Sequence, residues 1–336
     1  MFKCETEPSS NVGKKYLRIF RCTQLVLFFG LFFNLPLAFA SLLKIHVITP
    51  QHRINWTSPR SLSITTGVNS AGDDYAPIGH FATEVRCSKE GKWAKTILTG
   101  MERVNKAESK EITLSKELGL GSLTYSFRGA LVSAQNSKKE IDQARRDNRL
   151  LTLDIYTSEE RCQQMLDFVE DWINHGSYQV YGGGKDTIHG EGAGCADFAM
   201  TLFTIATGTL PPKAWLAKVK VPHSLMGDGK DKKVPFMNLL NRVDWALGNE
   251  PALAFSIADT NLVYDWINHR LGNGHKHLIY STHIFNGPVM YSSQTDYLQM
   301  VRKNAQALGP GIPSPSFKFQ YMTNIPASKI WQQIKL

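Results

Sequence analysis

The stretch from Tyr181 to Ala206, Y-G-G-G-K-D-T-I-H-G-E-G-A-G-C-A-D-F-A-M-T-L-F-T-I-A, constrains this chain more than any other. It opens as a glycine-rich loop and ends as an apolar segment with helical spacing. Phe198, Ala199, Leu202, Phe203, Ile205 and Ala206 make a stripe wide enough to predict a largely buried helix. Gly208 and the Pro211-Pro212 pair end it. Cys195 falls where the loop becomes helix. There the helix dipole and free first-turn amides would lower a thiol pKa and favour the thiolate. Small neighbours, Gly192, Ala193, Gly194 and Ala196, leave room for a substrate carbonyl, and loop amides could form an oxyanion hole. The same residue also suits a plain core position, because free cysteine is often buried.

The N-terminal 40 residues read as an export signal. Lys14, Lys15, Arg18 and Arg21 precede the apolar run Leu25 to Phe33, and Pro36 leads to Ala38-Phe39-Ala40, a small-x-small cleavage site. The apolar run is short for a membrane span, although an uncleaved anchor is the other reading. With residues 1–40 removed, Cys87, Cys162 and Cys195 remain. An odd number in an oxidising compartment leaves at least one thiol unpaired. A Cys87–Cys162 bridge with Cys195 free suits a catalytic cysteine, whereas three reduced buried cysteines suit a structural one.

The chain has 336 residues and a formal net charge of +9. The first 40 residues carry five Lys/Arg against two acids, which leaves about +6 on the remainder. That mild excess fits contact with an anionic envelope surface as well as a simply basic protein. No nucleic-acid motif accompanies it. The run Gly182 to Lys185 lacks the spacing of a phosphate loop, so no nucleotide is implied. No cofactor or metal is implied by C-x-x-C or H-E-x-x-H spacing, although Cys195 with His275, His277 and His283 would make a tetrahedral zinc set. Oligomeric state is not fixed by the sequence.

Taken in order, Leu43 to Ile48 predicts a strand, and S-L-S-I-T-T, Ser61 to Thr66, alternates like a half-buried one. Ile78 to Cys87 is a strand entered through glycine, with His80, Ala82 and Glu84 on one face. Trp93 to Thr99 is its hairpin partner. Lys138 to Arg149 reads as a solvated helix face, and Leu151 to Tyr156 as a strand. Thr157 with Glu160 forms a capping box for a helix whose inner face is Met165, Leu166, Val169, Trp172 and Ile173. Further helices are expected within Phe236–Leu247 and Asn261–Leu271, and a strand within His275–Phe285.

A thiol nucleophile needs an imidazole as base and a third group to orient it. His80 and the His275/His277/His283 group are the two sources. G-H-F-A-T-E-V at 79–85, followed by an amphipathic helix and G-A-G-C-A-D-F-A at 192–199, resembles the circularly permuted papain-like hydrolases. These are relatives of NlpC-type cell-wall peptidases and of lecithin retinol acyltransferase. The resemblance covers about residues 60–207. It implies an α+β papain-like fold, an antiparallel sheet packed against the nucleophile-bearing helix, with Cys195 as nucleophile and His80 as base. The chain departs from the pattern in having Gly before the cysteine and no second histidine on the adjacent strand. Glu84 is the expected third member. Tyr181, His189 and Gly194 are expected to line the substrate cleft. His277 or His283 would replace His80 if the ordinary papain-like order held.

The organisation expected is therefore a signal peptide over 1–40, a catalytic domain over 41–209 and a C-terminal extension over 210–336. The function expected is an exported thiol hydrolase or acyltransferase, periplasmic or secreted, acting on a peptide or acyl group of the cell envelope. A non-enzymatic envelope-binding protein with a degenerate papain-like fold is the alternative.

Overall fold

The computed structural model describes residues 41–71, 77–89, 92–271, 277–281 and 289–291, all within one unit of the chain, Ala40–Leu336. The segment expected to direct export, and His275 and His283, lie outside the described residues.

The first strand, β1 (Ser41–Ile48), is buried at nearly every position because both its faces are covered. It is followed by α1 (Pro59–Ala71), where a strand over Ser61 to Thr66 was expected. Helix wins there because Pro59 sits in the first turn and the Ser58 hydroxyl accepts from the Ser61 amide. The hydroxyls of Thr65, Thr66 and Ser70 donate back to carbonyls one turn earlier. The alternation of Ser and Thr with Leu62 and Ile64 mimics a strand, but those hydroxyls find their acceptors within the helix.

The hairpin β2 (His80–Lys89) and β3 (Lys92–Thr99) follows, then the short β4 (Met101–Arg103) and α2 (Lys106–Ser115). Next come β5 (Phe127–Leu131), α3 (Ala134–Arg146) and β6 (Leu150–Thr157). Helix α4 (Glu159–Asn174) is capped by Ser158, one residue after the expected cap, because the Thr157 hydroxyl donates to the Ala206 carbonyl instead. Met165, Leu166, Val169 and Trp172 are buried as their spacing implies, while Ile173 is exposed. The two-residue β7 (Val180–Tyr181) leads to the glycine loop and α5 (Cys195–Thr207), which ends at left-handed Gly208. The remaining elements are β8 (Leu216–Pro222), α6 (Phe236–Leu240), β9 (Ala252–Ala258), α7 (Thr260–Leu271), β10 (His277–Ser281) and β11 (Val289–Tyr291). Helix α6 is shorter than expected, since its chain enters turns after Leu240.

The fold is α+β. The main sheet runs β11-β10-β6-β1-β2-β3, antiparallel throughout except where β10 lies parallel to β6. Two smaller sheets are β4-β5-β7 and β8-β9. The period of two gives the main sheet two faces with different coverings. Leu43, Ile45, Val47, Phe81, Val85 and Leu153 face α4 and α5 in the principal core. There the rings of Phe168, Trp172 and Phe198 meet with centroids 5.5–5.9 Å apart. Removing the Phe198 ring would cost about 3–5 kcal/mol. On the opposite face Ile48, Ala82 and Leu150 pack on Ile141 and Ala144 of α3. That helix is solvated on its outer side only.

Trp215, Val263 and Ile267 belong to the same core as the α5 helix, so residues beyond 209 complete the hydrophobic interior. A disulfide joins Cys87 of β2 to Cys162 of α4, fastening the sheet to the helix layer, and Cys195 is left reduced.

Candidate active site

Cys195 is the first residue of α5, and its sulfur reaches the point where β3 has ended and β2 continues. The backbone amides of Phe81 and Ala196 donate to the sulfur, and the Tyr181 hydroxyl donates to it at 3.8 Å. Three donors on one sulfur favour the thiolate. Burial opposes them and prevails, so the thiol pKa is raised, not lowered as the helix terminus alone suggests. The charge of Asp197, two residues along, adds to the rise. Asp197 is itself held up at about 6 by burial. The Tyr181 phenol is likewise pushed up, chiefly by burial.

The Gly194 amide, expected to serve a substrate oxyanion, donates to the Asp197 carboxylate at 3.4 Å. The glycine loop serves another purpose at Gly192, whose φ of +120° and near contact with Val180 exclude a side chain: a Cβ would lie 2.7 Å from the Val180 carbonyl oxygen.

His80 begins β2 one residue before Phe81. Gly79 turns the chain into the strand with a φ of +83°, and a Cβ there would strike the Thr260 side chain. His80 pairs in register with Ile48, so its side chain belongs to the α3 face of the sheet, whereas Phe81 belongs to the α5 face. Its Nε2 lies 3.6 Å from the Glu140 carboxylate of α3 and makes no hydrogen bond. No hydrogen bond joins His80 to Cys195. Burial pushes the imidazole down to about 4, with the Lys106 charge adding to the effect, and burial raises the Glu140 carboxyl. Both groups are thereby driven toward their neutral forms.

Glu84 shares the His80 face but is engaged by other groups: His46 Nε2 at 3.7 Å and the Arg86 guanidinium at 2.5 Å. Glu140 takes the place beside His80 that was expected of Glu84. Nothing local in the sequence marks it, because the contact joins a helix to a strand 60 positions away. His189 is exposed on the glycine loop and pairs with Asp186. His277 lies opposite Thr152 in the parallel pairing of β10 with β6.

A cavity of about 580 Å³ adjoins these groups. Its apolar wall includes Leu62, Leu120, Leu123, Phe236, Leu239 and Ile257, and its polar wall includes His80, Arg103, Glu140 and Tyr181. The size is that of a small-molecule site. Tyr181 belongs to the wall and touches the sulfur, so the phenol separates thiol from cavity. Compared with family models, curated proteins and solved structures, the chain matches none.

Proposed function

We propose that this chain is an exported thiol-dependent hydrolase or acyltransferase with a permuted papain-like catalytic core, acting on an acyl ester or amide of the cell envelope. The observation that carries the reading is the setting of Cys195. It is the unpaired cysteine of the three in residues 41–336, stands at the start of a buried helix and is met by two backbone amides. It lies behind a wall residue of a large cavity. The disulfide supports an oxidising compartment, periplasmic or extracellular.

In this mechanism the sulfur attacks the carbonyl carbon of a substrate seated in the cavity, and the thiol proton passes to an imidazole. A neutral imidazole is required for that step, and burial keeps His80 neutral. In the structure the His80 ring stands by Glu140 on the α3 face of β2, so this step requires the start of β2 to rearrange until the ring reaches the sulfur. The tetrahedral intermediate collapses to a thioester, and the leaving alcohol or amine departs with the proton. Water completes hydrolysis; a second alcohol or amine completes acyl transfer. The Phe81 amide, beside the sulfur, is the donor best placed to hold the oxyanion. The apolar wall favours an acyl chain over a peptidoglycan peptide.

The test is ester turnover with a series of acyl chain lengths. Cys195→Ser should lose all turnover above background, His80→Ala about a hundredfold or more, and rates should climb with chain length. Turnover unchanged in Cys195→Ser rejects the mechanism.

A second reading is a binding protein that keeps the fold without the chemistry. The raised thiol pKa and the His80 contact with Glu140 instead of the sulfur favour it. It predicts ligand binding in the cavity with no turnover by any variant.

A further inference from the structure

Arg103 is the last residue of β4 and half-buried in the cavity wall. Its guanidinium carbon stands 4.3 Å from the centre of the Phe127 ring and 5.4 Å from that of Tyr181. Its interactions are with these rings, and among the described residues it has neither a hydrogen bond nor an ion pair. Three of the acids around the cavity are committed elsewhere. Glu140 lies against His80, Asp259 accepts from the Trp56 indole at 2.9 Å and from the Leu262 amide, and Glu117 is 4.0 Å from Lys233. Glu102, the neighbour of Arg103 on β4, lies close enough to Glu140 to raise its pKa.

A partly desolvated guanidinium is costly without an anion, and aromatic contacts satisfy its faces but not its N–H groups. Those groups form a fork that fits a carboxylate or phosphate through two parallel hydrogen bonds. We propose that Arg103 binds the anionic group, carboxylate or phosphate, of an amphiphilic ligand whose apolar chain fills the cavity. Arg103 supplies the charge complement, and Leu62, Leu120, Leu123, Phe236 and Leu239 supply the wall for the chain. The Tyr181 side chain meets the guanidinium through its ring and the sulfur through its hydroxyl, so the anion would sit on the Cys195 side of the cavity. This rests on the cavity being the substrate's place, and it names the substrate class.

The experiment is equilibrium binding of dodecyl phosphate, laurate and dodecanol below their aggregation limits, followed through tryptophan fluorescence, since Trp56 lines the cavity. Both the unmodified protein and Cys195→Ser are titrated. The anionic probes should bind about tenfold or more tighter than dodecanol in both. Arg103→Gln should erase that gap and leave dodecanol within about twofold, while Arg103→Lys should keep part of it. A gap for both anions assigns any oxyanion; a gap for dodecyl phosphate alone assigns a phosphate group. If Arg103→Gln does not fold, the gap in unmodified protein should still shrink as salt rises, with dodecanol unaffected. No gap in unmodified protein, or a gap that persists in folded Arg103→Gln, overturns the proposal. Failure of the thiol mechanism has a different signature: no ester turnover, with the binding gap intact.

Discussion

The Tyr181 hydroxyl donates to the Cys195 sulfur at 3.8 Å while the same ring forms part of the cavity wall. One side chain therefore both modulates the thiol and closes the route to it. Its two roles can be separated by two substitutions. Tyr181→Phe keeps the wall and removes one donor, so Cys195 should alkylate with iodoacetamide more slowly at a given pH. Tyr181→Ala opens the wall and should speed alkylation. Slow reaction in both would mean that the thiol is reached by another path.

The disulfide closes 75 residues between Cys87 and Cys162. Loop-closure entropy sets its contribution at about 4.5 kcal/mol as an upper value. Replacing both cysteines by Ala should lower unfolding stability by about 2–4 kcal/mol in urea melts. Stability equal to that of the parent would show the bridge to be incidental.

Two buried groups near the thiol titrate in opposite senses. His80 is pushed down to about 4, so between pH 6.5 and 4 the unfolded chain takes up a proton that the native state refuses. Stability from this group is present above pH 6.5 and is lost as pH falls through 4. Asp197 is held up at about 6, so below that pH the native state takes up a proton that the unfolded chain does not. Its stabilising effect is full below about pH 4 and is lost as pH rises through 6. Each contributes about 3 kcal/mol, and in the parent the two largely offset. Asp197→Asn should therefore lose stability more steeply than the parent on acidification from pH 6.5 to 4, and His80→Gln less steeply. Parallel pH curves for all three would contradict the buried setting of both groups.

Much of this arrangement is legible in the sequence because it rests on periodicity. Phe198, Ala199, Leu202, Phe203, Ile205 and Ala206 are all buried on α5, and His80, Ala82 and Glu84 share a face of β2. Cysteine parity calls for an unpaired thiol, and the fold decides that it is Cys195. What is not legible arises from contacts between elements remote in sequence. Glu140 reaches His80 from a helix whose charges read as solvated, and Arg103 meets Phe127 and Tyr181 because β4 and β5 pair. The sign of the Cys195 shift is of the same kind: helix position is local, burial is not. Ser61 to Thr66 misleads for another reason, since a hydroxyl-rich alternation satisfies strand spacing and helix back-bonding equally well.

The central claim is that Cys195 becomes acylated by a substrate in the cavity. Intact-protein mass spectrometry after brief exposure to p-nitrophenyl laurate, quenched in acid, tests it most directly. The account predicts one lauroyl adduct mapping to Cys195, formed slowly in His80→Ala and absent in Cys195→Ala. An unmodified Cys195 in protein that binds laurate through Arg103 would contradict it and leave a binding protein in its place.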